Sequence, residues 1–311
     1  MPQIPSAVTI RRRLEILVKD KQQRVLRMLP SGSKISIALD SWTSPFSQAF
    51  LAITGYFIDA NWVYREVLLG FKPLHGAHTG SNMSSVVLET LKNHQIQDKV
   101  FGLTSNNASN NKILADSLQQ ALADNVKIIQ TPCLAHVIQL SLNQLLDRLK
   151  AVPQNNIAEI KQADRLSSLA KEDLQHQKHE VSYTLNKVHS LAIYIHGSPS
   201  CREAFNKLQT DDPKLTPIQD VRTRWNSTFL MLRRAKRLRN IFTQFCADYD
   251  CEEMLPDNEG WRQIDYLLYI TEPFFLYTTK LSKTREVTIH LVFKIYNTLF
   301  EYLEKSIKQL Q

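Results

Sequence analysis

The sequence predicts an α/β protein in two parts, a mixed β-sheet with flanking helices followed by an all-helical region. Three observations predict it. Before residue 75 there are three runs rich in β-branched and aromatic residues, separated by short polar loops. From 79 to 150 helical-period apolar stripes alternate with short apolar runs. After about 150 the strand-like runs stop and only helical patterns remain. The expected organisation is a basic N-terminal helix over 1–30, a sheet-containing core over 31–145 and a helical domain over 146–311.

Each element has its own warrant. Apolar residues Val8, Ile10, Leu14, Leu17, Val18, Val25, Leu26 and Met28 recur at roughly helical spacing, and the pattern stops at Leu29-Pro30-Ser31-Gly32. The runs at 34–40, 49–59 and 62–71 predict an antiparallel meander, with Asp59-Ala60-Asn61 as a hairpin-length joint. Thr79 to Asn82 offers capping residues ahead of a helical stripe containing Val86, Val87, Leu88 and Leu91. A fourth strand is expected at 98–106, a helix at 111–125, a fifth strand at 126–133 and a further helix after it. Beyond these, helices are expected at 154–172, 181–196, 226–248, 259–280 and 286–310, with loops at 171–180 and at the SPSC stretch, 198–201.

Composition narrows the function classes. The 311 residues carry 43% hydrophobic and 22% charged residues, an ordinary globular balance. The longest apolar stretches are far short of the roughly 20 residues that cross a bilayer, so no membrane partner is expected. Cys133, Cys201, Cys246 and Cys251 are irregularly spaced, which points away from a disulfide framework. The net charge of +8 is concentrated: residues 1–30 hold seven Lys/Arg against two acids, and 221–240 hold seven and no acid. Such clusters attract polyanions and displace counterions from nucleic acid, though a solvated helix face has the same composition.

Three meander strands followed by αβαβα is the element order of the ribonuclease H-like fold. That fold places acids at the ends of its adjacent first and fourth strands, where two carboxylates can bridge a pair of Mg²⁺ ions for in-line phosphoryl transfer. Asp40, after KISIAL, fits the first acid and a metal ligand, or else a turn aspartate. The second position falls within TSNNASNN, at 104–111.

Six motifs, in order, resemble those of the hAT superfamily of DNA transposases. They are ALDSWTSP (38–45), AITGYFID (52–59), HTGSNM (78–83), LTSNNASNN (103–111), CLAH (133–136) and TRWNSTFLML (223–232). The resemblance covers about residues 34–240. It implies a ribonuclease H-like core interrupted by a helical insertion, three catalytic acids and Mg²⁺ or Mn²⁺ as cofactor. Asp40 falls on the first acid and Asn106 on the second, where the family usually has Asp followed by Asn-Ala; Asn107-Ala108 keep that context. An amide brings neither charge nor a second anionic oxygen, so a two-metal site is weakened and cleavage should fall severely. No context selects a third acid among Glu252, Glu253, Glu301 and Glu304. The resemblance implies a chain shorter than the family at both ends, lacking the preceding zinc-binding module and the dimerisation region.

Other residues carry expectations about DNA. One CxxH supplies only two zinc ligands, so zinc is not expected at Cys133 and His136. The resemblance makes His136 a neighbour of the active site or of a DNA phosphate; His75 and His78 are read as loop and cap. Arg222, Arg224 and Trp225 offer phosphate neutralisation and an indole for an unstacked base, with Arg233, Arg234, Lys236 and Arg237 following. Trp225 serves equally well as core. The leading reading is a nuclear, catalytically defective transposase fragment that retains binding to double-stranded DNA at transposon ends. An active Mg²⁺-dependent transposase and a domesticated DNA- or protein-binding module are the alternatives.

Overall fold

The computed structural model describes residues 5–44, 48–76, 79–106, 109–149, 181–221, 225–282 and 288–310. The chain divides into two compact units, the first comprising Met1–Val137 with Lys283–His290 and the second Ile138–Ser282 with Leu291–Gln311. The helix expected at 154–172 and the loop at 171–180 lie outside the described residues.

In the first unit, helix α1 (Ala7–Leu26) precedes strands β1 (Ile35–Thr43), β2 (Ala49–Ile58) and β3 (Tyr64–Leu74). Then come α2 (Gly80–Asn93), β4 (Val100–Ser105), α3 (Ser109–Ala121), β5 (Ile129–Pro132) and the start of α4 (Leu134–Arg148). The sheet order is β3-β2-β1-β4-β5. The first three strands are antiparallel neighbours, while β4 and β5 join in parallel. This is the expected ribonuclease H-like mixed sheet. Its core lies on one face, where Ile35, Ile37, Leu51, Ile53 and Leu103 meet Val87 and Leu91 of α2 and Leu114 and Leu118 of α3. Strand alternation puts the odd-numbered residues of β1 into that core, so the even-numbered ones face the other way.

Several boundaries differ from expectation for identifiable reasons. β1 runs three residues beyond Asp40 because Trp42 pairs with Phe50 across β2 and their rings lie 6.0 Å apart, extending the ladder. Asp40 is therefore inside β1 rather than at its end. At the hairpin, Asp59 is buried and its Oδ1 accepts the N–H groups of Asn61 and Val63 at 2.9 and 3.0 Å. That Asx turn delays β3 to Tyr64. Gly80 allows the N-terminus of α2 to sit against α3: a Cβ there would lie 2.3 Å from the Asn110 carbonyl oxygen.

The second unit is helical among its described residues. It contains the rest of α4, α5 (Val181–Gly197), α6 (Pro199–Lys207), α7 (Trp225–Arg237), α8 (Arg239–Asp248), α9 (Asn258–Leu281) and α10 (Val292–Leu310). Its core includes Leu185, Leu191, Ile195, Phe205, Phe229, Phe242, Phe245 and Leu267. The SPSC stretch is a helix start, not a loop: Ser198 is the N-cap and Pro199 the first helical residue, where a missing N–H costs nothing. The single helix expected over 226–248 breaks at Leu238, which is buried and whose N–H is shared between the carbonyls of Arg234 and Ala235.

Candidate functional site

The candidate centre is built by strand register. In the parallel pair, Ile37 lies opposite Leu103 and Ala38 opposite Thr104, so the same register carried two residues on sets Asp40 abreast of Asn106. Likewise Ser105 pairs with Pro132, which brings Cys133 beside Asn106, and the Cys133 N–H donates to the Ser105 carbonyl at 2.8 Å. Three sequence-distant positions thus line one edge of the sheet. The carboxyl ends of parallel strands are where α/β proteins put ligands. Asp40 is exposed, Asn106 half-buried, and His136 half-buried in the first turn of α4.

Asn106 is engaged from behind. Nδ2 of Asn111, a buried residue in α3, donates to the Asn106 backbone carbonyl at 2.9 Å and also to the Asn106 side-chain oxygen Oδ1. The Asn111 carbonyl in turn accepts from Gln130 Nε2 of β5 at 3.5 Å. A spacing of five residues across a strand-to-helix turn carries this contact, and nothing in the local sequence pattern announces it. The Asn106 side-chain oxygen therefore already accepts one hydrogen bond, which competes with a cation for that atom.

This set does not fit a pair of Mg²⁺ ions. Two-metal phosphoryl transfer needs a pair of anionic ligands, and here one carboxylate stands beside one neutral amide whose oxygen already accepts a hydrogen bond. Among the described residues, no three His, Cys, Asp or Glu side chains gather into a group able to hold a metal. Asn107, Ala108 and His78 lie outside the described residues.

The basic run around α7 in the helical unit has a different character from its composition. Arg222 and Arg224 lie outside the described residues. Trp225, the first residue of α7, is only 6% exposed, and its buried Nε1–H has no partner among the described residues. In this conformation its ring is closed to a stacking base. The Arg233 guanidinium lies 5.4 and 5.3 Å from the ring centroids of Phe229 and Phe275. Arg234 Nη1 donates to the Thr216 carbonyl at 2.5 Å, and burial together with the charges of Arg237 and Arg233 lowers its pKa. Lys236 pairs with Asp265 at 2.7 Å. Arg237 is exposed and takes part in no such contact among the described residues.

Helix α1 is the reverse case. No side chain of it is fully buried. Its C-terminal third is held to β3 by Gln22 Nε2, which donates to the carbonyls of Leu68 and Leu69 at 2.6 and 3.3 Å, and by Val25 and Leu26 against the core. Arg24 pairs with Asp20, and that contact holds the Asp20 carboxyl below its ordinary range. Arg11, Arg12, Arg13, Lys19 and Lys21 are exposed with no ion-pair partner among the described residues. Among the described residues, no helix is long and apolar enough to cross a membrane.

Comparison with known proteins matches both units. The family described as the ZBED1 RNase-like domain matches residues 38–133, and the ZBED1 RNase-like helical domain matches 131–269. The "Putative transcriptional regulator tpeD" of Talaromyces stipitatus is 49% identical across 100% of this chain and 37% of its own length. The "Putative AC transposase" of Zea mays is 25% identical over 94% of this chain and 34% of its own. The BED zinc-finger protein RICESLEEPER 1 of Oryza sativa is also 25% identical, over 79% and 31%. The chain thus spans about a third of the length of these relatives.

Proposed function

Because the chain belongs to the hAT-type, transposase-like family, we propose that it is a nuclear DNA-binding protein whose strand-cleaving centre is defective. One observation carries the loss of cleavage. Abreast of Asp40 stands Asn106, an amide whose oxygen accepts a hydrogen bond from Asn111. A site with one carboxylate holds Mg²⁺ or Mn²⁺ weakly and lacks the second anionic ligand that a two-ion centre needs.

DNA binding is supported by the unpaired arginines and lysines of α1, which can neutralise phosphates without first breaking internal contacts. The exposed Arg237 and the sequence positions Arg222 and Arg224 add to it in the second unit. The relative from Talaromyces is named as a transcriptional regulator, and binding without cleavage is what such a role requires. An active transposase is the rival reading. The exposed Asp40 favours it, because a first acid remains open to a metal.

The test compares the chain with Asn106→Asp. Nδ2 of Asn111 donates to a carboxylate as readily as to an amide oxygen, so the substitution leaves the local hydrogen bonding intact. Calorimetric titration with Mn²⁺ is expected to give at least a tenfold affinity gain for the variant. Cleavage of duplex DNA bearing the element's own terminal sequences is expected to be absent for the parent chain. Robust Mg²⁺- or Mn²⁺-dependent cleavage by the unmodified chain overturns the proposal.

A further inference from the structure

Helix α1 carries a row of aliphatic side chains that stands open to solvent. Ala7, Ile10, Leu14 and Leu17 recur at spacings of three, four and three, the a and d positions of a heptad, and Val18 adjoins them at e. Ile10, Leu14, Leu17 and Val18 are 43, 54, 59 and 49% exposed. The contacts that hold the last turns of α1 to the sheet come from Gln22, Val25 and Leu26, at positions b, e and f, around the helix from a and d. The sheet therefore leaves the row uncovered. Single exposed aliphatics are ordinary on a protein surface, but a contiguous row in heptad register is the mark of a helix that pairs with another.

The charges beside the row say what it pairs with. Arg11 at e and Arg13 at g border it on either side, and Lys21 closes it at the next a position; all three are exposed with no ion-pair partner among the described residues. Asp20, at the next g position, is committed to Arg24. Glu15 lies beyond Arg11, at b, while Arg12 and Lys19 occupy f on the far side. Charge at e and g decides which helix pairs with which, and here it selects acidic neighbours. A second copy of α1 is a poor match, because residues 1–30 hold seven Lys/Arg against two acids and the cations would meet their like. Duplex DNA takes up cations but has no use for an aliphatic row. A bilayer surface favours aromatic anchors and an unbroken polar face, whereas α1 has no aromatic residue and carries Val8 and Ile16 off the row.

We propose that the a/d row of α1 is a docking surface for an acidic amphipathic helix of a protein partner. The partner's apolar residues cover Ile10, Leu14 and Leu17, and its Asp or Glu side chains meet Arg11, Arg13 and Lys21. Removing the aliphatic row from water drives the pairing, and the ion pairs set register and partner choice. The inference goes beyond the DNA-binding reading and does not rest on it.

The test titrates the full chain into fluorescently labelled three-heptad peptides with Leu at every a and d position, one edged with Glu at e and g and the other with Lys. The Glu-edged peptide is expected to bind at least about tenfold tighter than the Lys-edged one. Leu14→Gln/Leu17→Gln is expected to weaken the Glu-edged peptide about tenfold or more, with the thermal midpoint unchanged because both residues are exposed. Arg11→Glu/Arg13→Glu/Lys21→Glu is expected to reverse the preference, so that the Lys-edged peptide binds tighter. Equal affinity for the two peptides overturns the proposal. So does the absence of saturable binding to the Glu-edged peptide, or binding that Leu14→Gln/Leu17→Gln leaves unchanged. The leucine variant is also run against a mixed-sequence DNA duplex and against vesicles of phosphatidylserine and phosphatidylcholine, and neither response is expected to differ from that of the parent chain. A loss on DNA or on vesicles as large as the loss on the peptide means that the row serves that surface instead, and overturns the proposal.

Discussion

The two arginine-rich helices, α1 and α7, look alike in composition and differ in what their cations touch. In α7, Arg233 sits against Phe229 and Phe275, Arg234 holds Thr216 and Lys236 pairs with Asp265. In α1, Arg11, Arg12, Arg13, Lys19 and Lys21 face solvent without ion-pair partners among the described residues. The difference follows from packing. α7 buries Trp225, Thr228, Phe229, Met231, Leu232 and Ala235, so its flanking cations lie along the seams where it meets neighbours. α1 buries nothing fully and touches the sheet only through its last turns. A cluster of positive charge is thus open to solvent in one helix and partly taken up by internal contacts in the other.

The comparison breaks most sharply on the apolar side. Phe229→Ala in α7 is expected to cost about 3–5 kcal/mol, because it empties a fully packed aromatic position beside Phe275. Leu14→Ala in α1, at a residue 54% exposed, should fall within about 0.5 kcal/mol of zero. Denaturant midpoints measured on both would dissolve the contrast if the two losses came out alike.

Charge reversal sharpens it next. Arg11, Arg12 and Arg13 changed together to Glu should lower DNA affinity roughly tenfold or more at low salt, since each lost phosphate contact removes about 0.9 from the salt slope. Thermal stability should stay put. Arg234→Ala should do the opposite, releasing the Thr216 carbonyl and lowering stability by about 1 kcal/mol, with a smaller effect on DNA. A DNA loss as large for Arg234→Ala as for the α1 triple would remove the distinction between the helices.

Acid titration tests the buried Asp220, whose Oδ1 accepts from His189 of α5 and whose Oδ2 accepts from Thr228 of α7 at 3.0 Å. The folded-state pKa of Asp220 is depressed, so its stabilising contribution is present above its unfolded value near 3.8 and is lost as pH falls through the folded one. Asp220→Asn should therefore flatten the decline in stability below about pH 4. A decline of the same steepness in both proteins would mean that the pair contributes nothing. The smallest effect is expected for the half-exposed Lys236–Asp265 pair, where a double-mutant cycle should return about 0–1 kcal/mol.

Much of the fold was legible because it depends on short-range pattern. Alternating apolar residues set β1 to β3, Thr79 capped α2 through the Asn82 N–H as its residue type suggests, and the αβαβα order followed from helical stripes. What local pattern could not carry were contacts made across the sheet or core. β1 continues past Asp40 only because Phe50 waits on β2. Leu238 breaks a helix with no glycine or proline to announce it, because its side chain is drawn into the core. Asn111 is one amide among several in TSNNASNN, and its hold on Asn106 depends on how α3 returns over the end of β4.

The sequence by itself determined the strand and helix order and the two concentrations of positive charge, because each is a matter of residue type at a spacing; the matching of Asn106 to Asp40 came from the family resemblance. The tertiary structure decided which of those charges are open, that Asn106 accepts a hydrogen bond through its side-chain oxygen, that Trp225 faces inward, and that Asp220 joins α5 and α7 through His189 and Thr228. Those outcomes depend on which groups reach each other once the chain has folded. Burial and hydrogen bonding between residues far apart in sequence leave no local trace for a pattern to find.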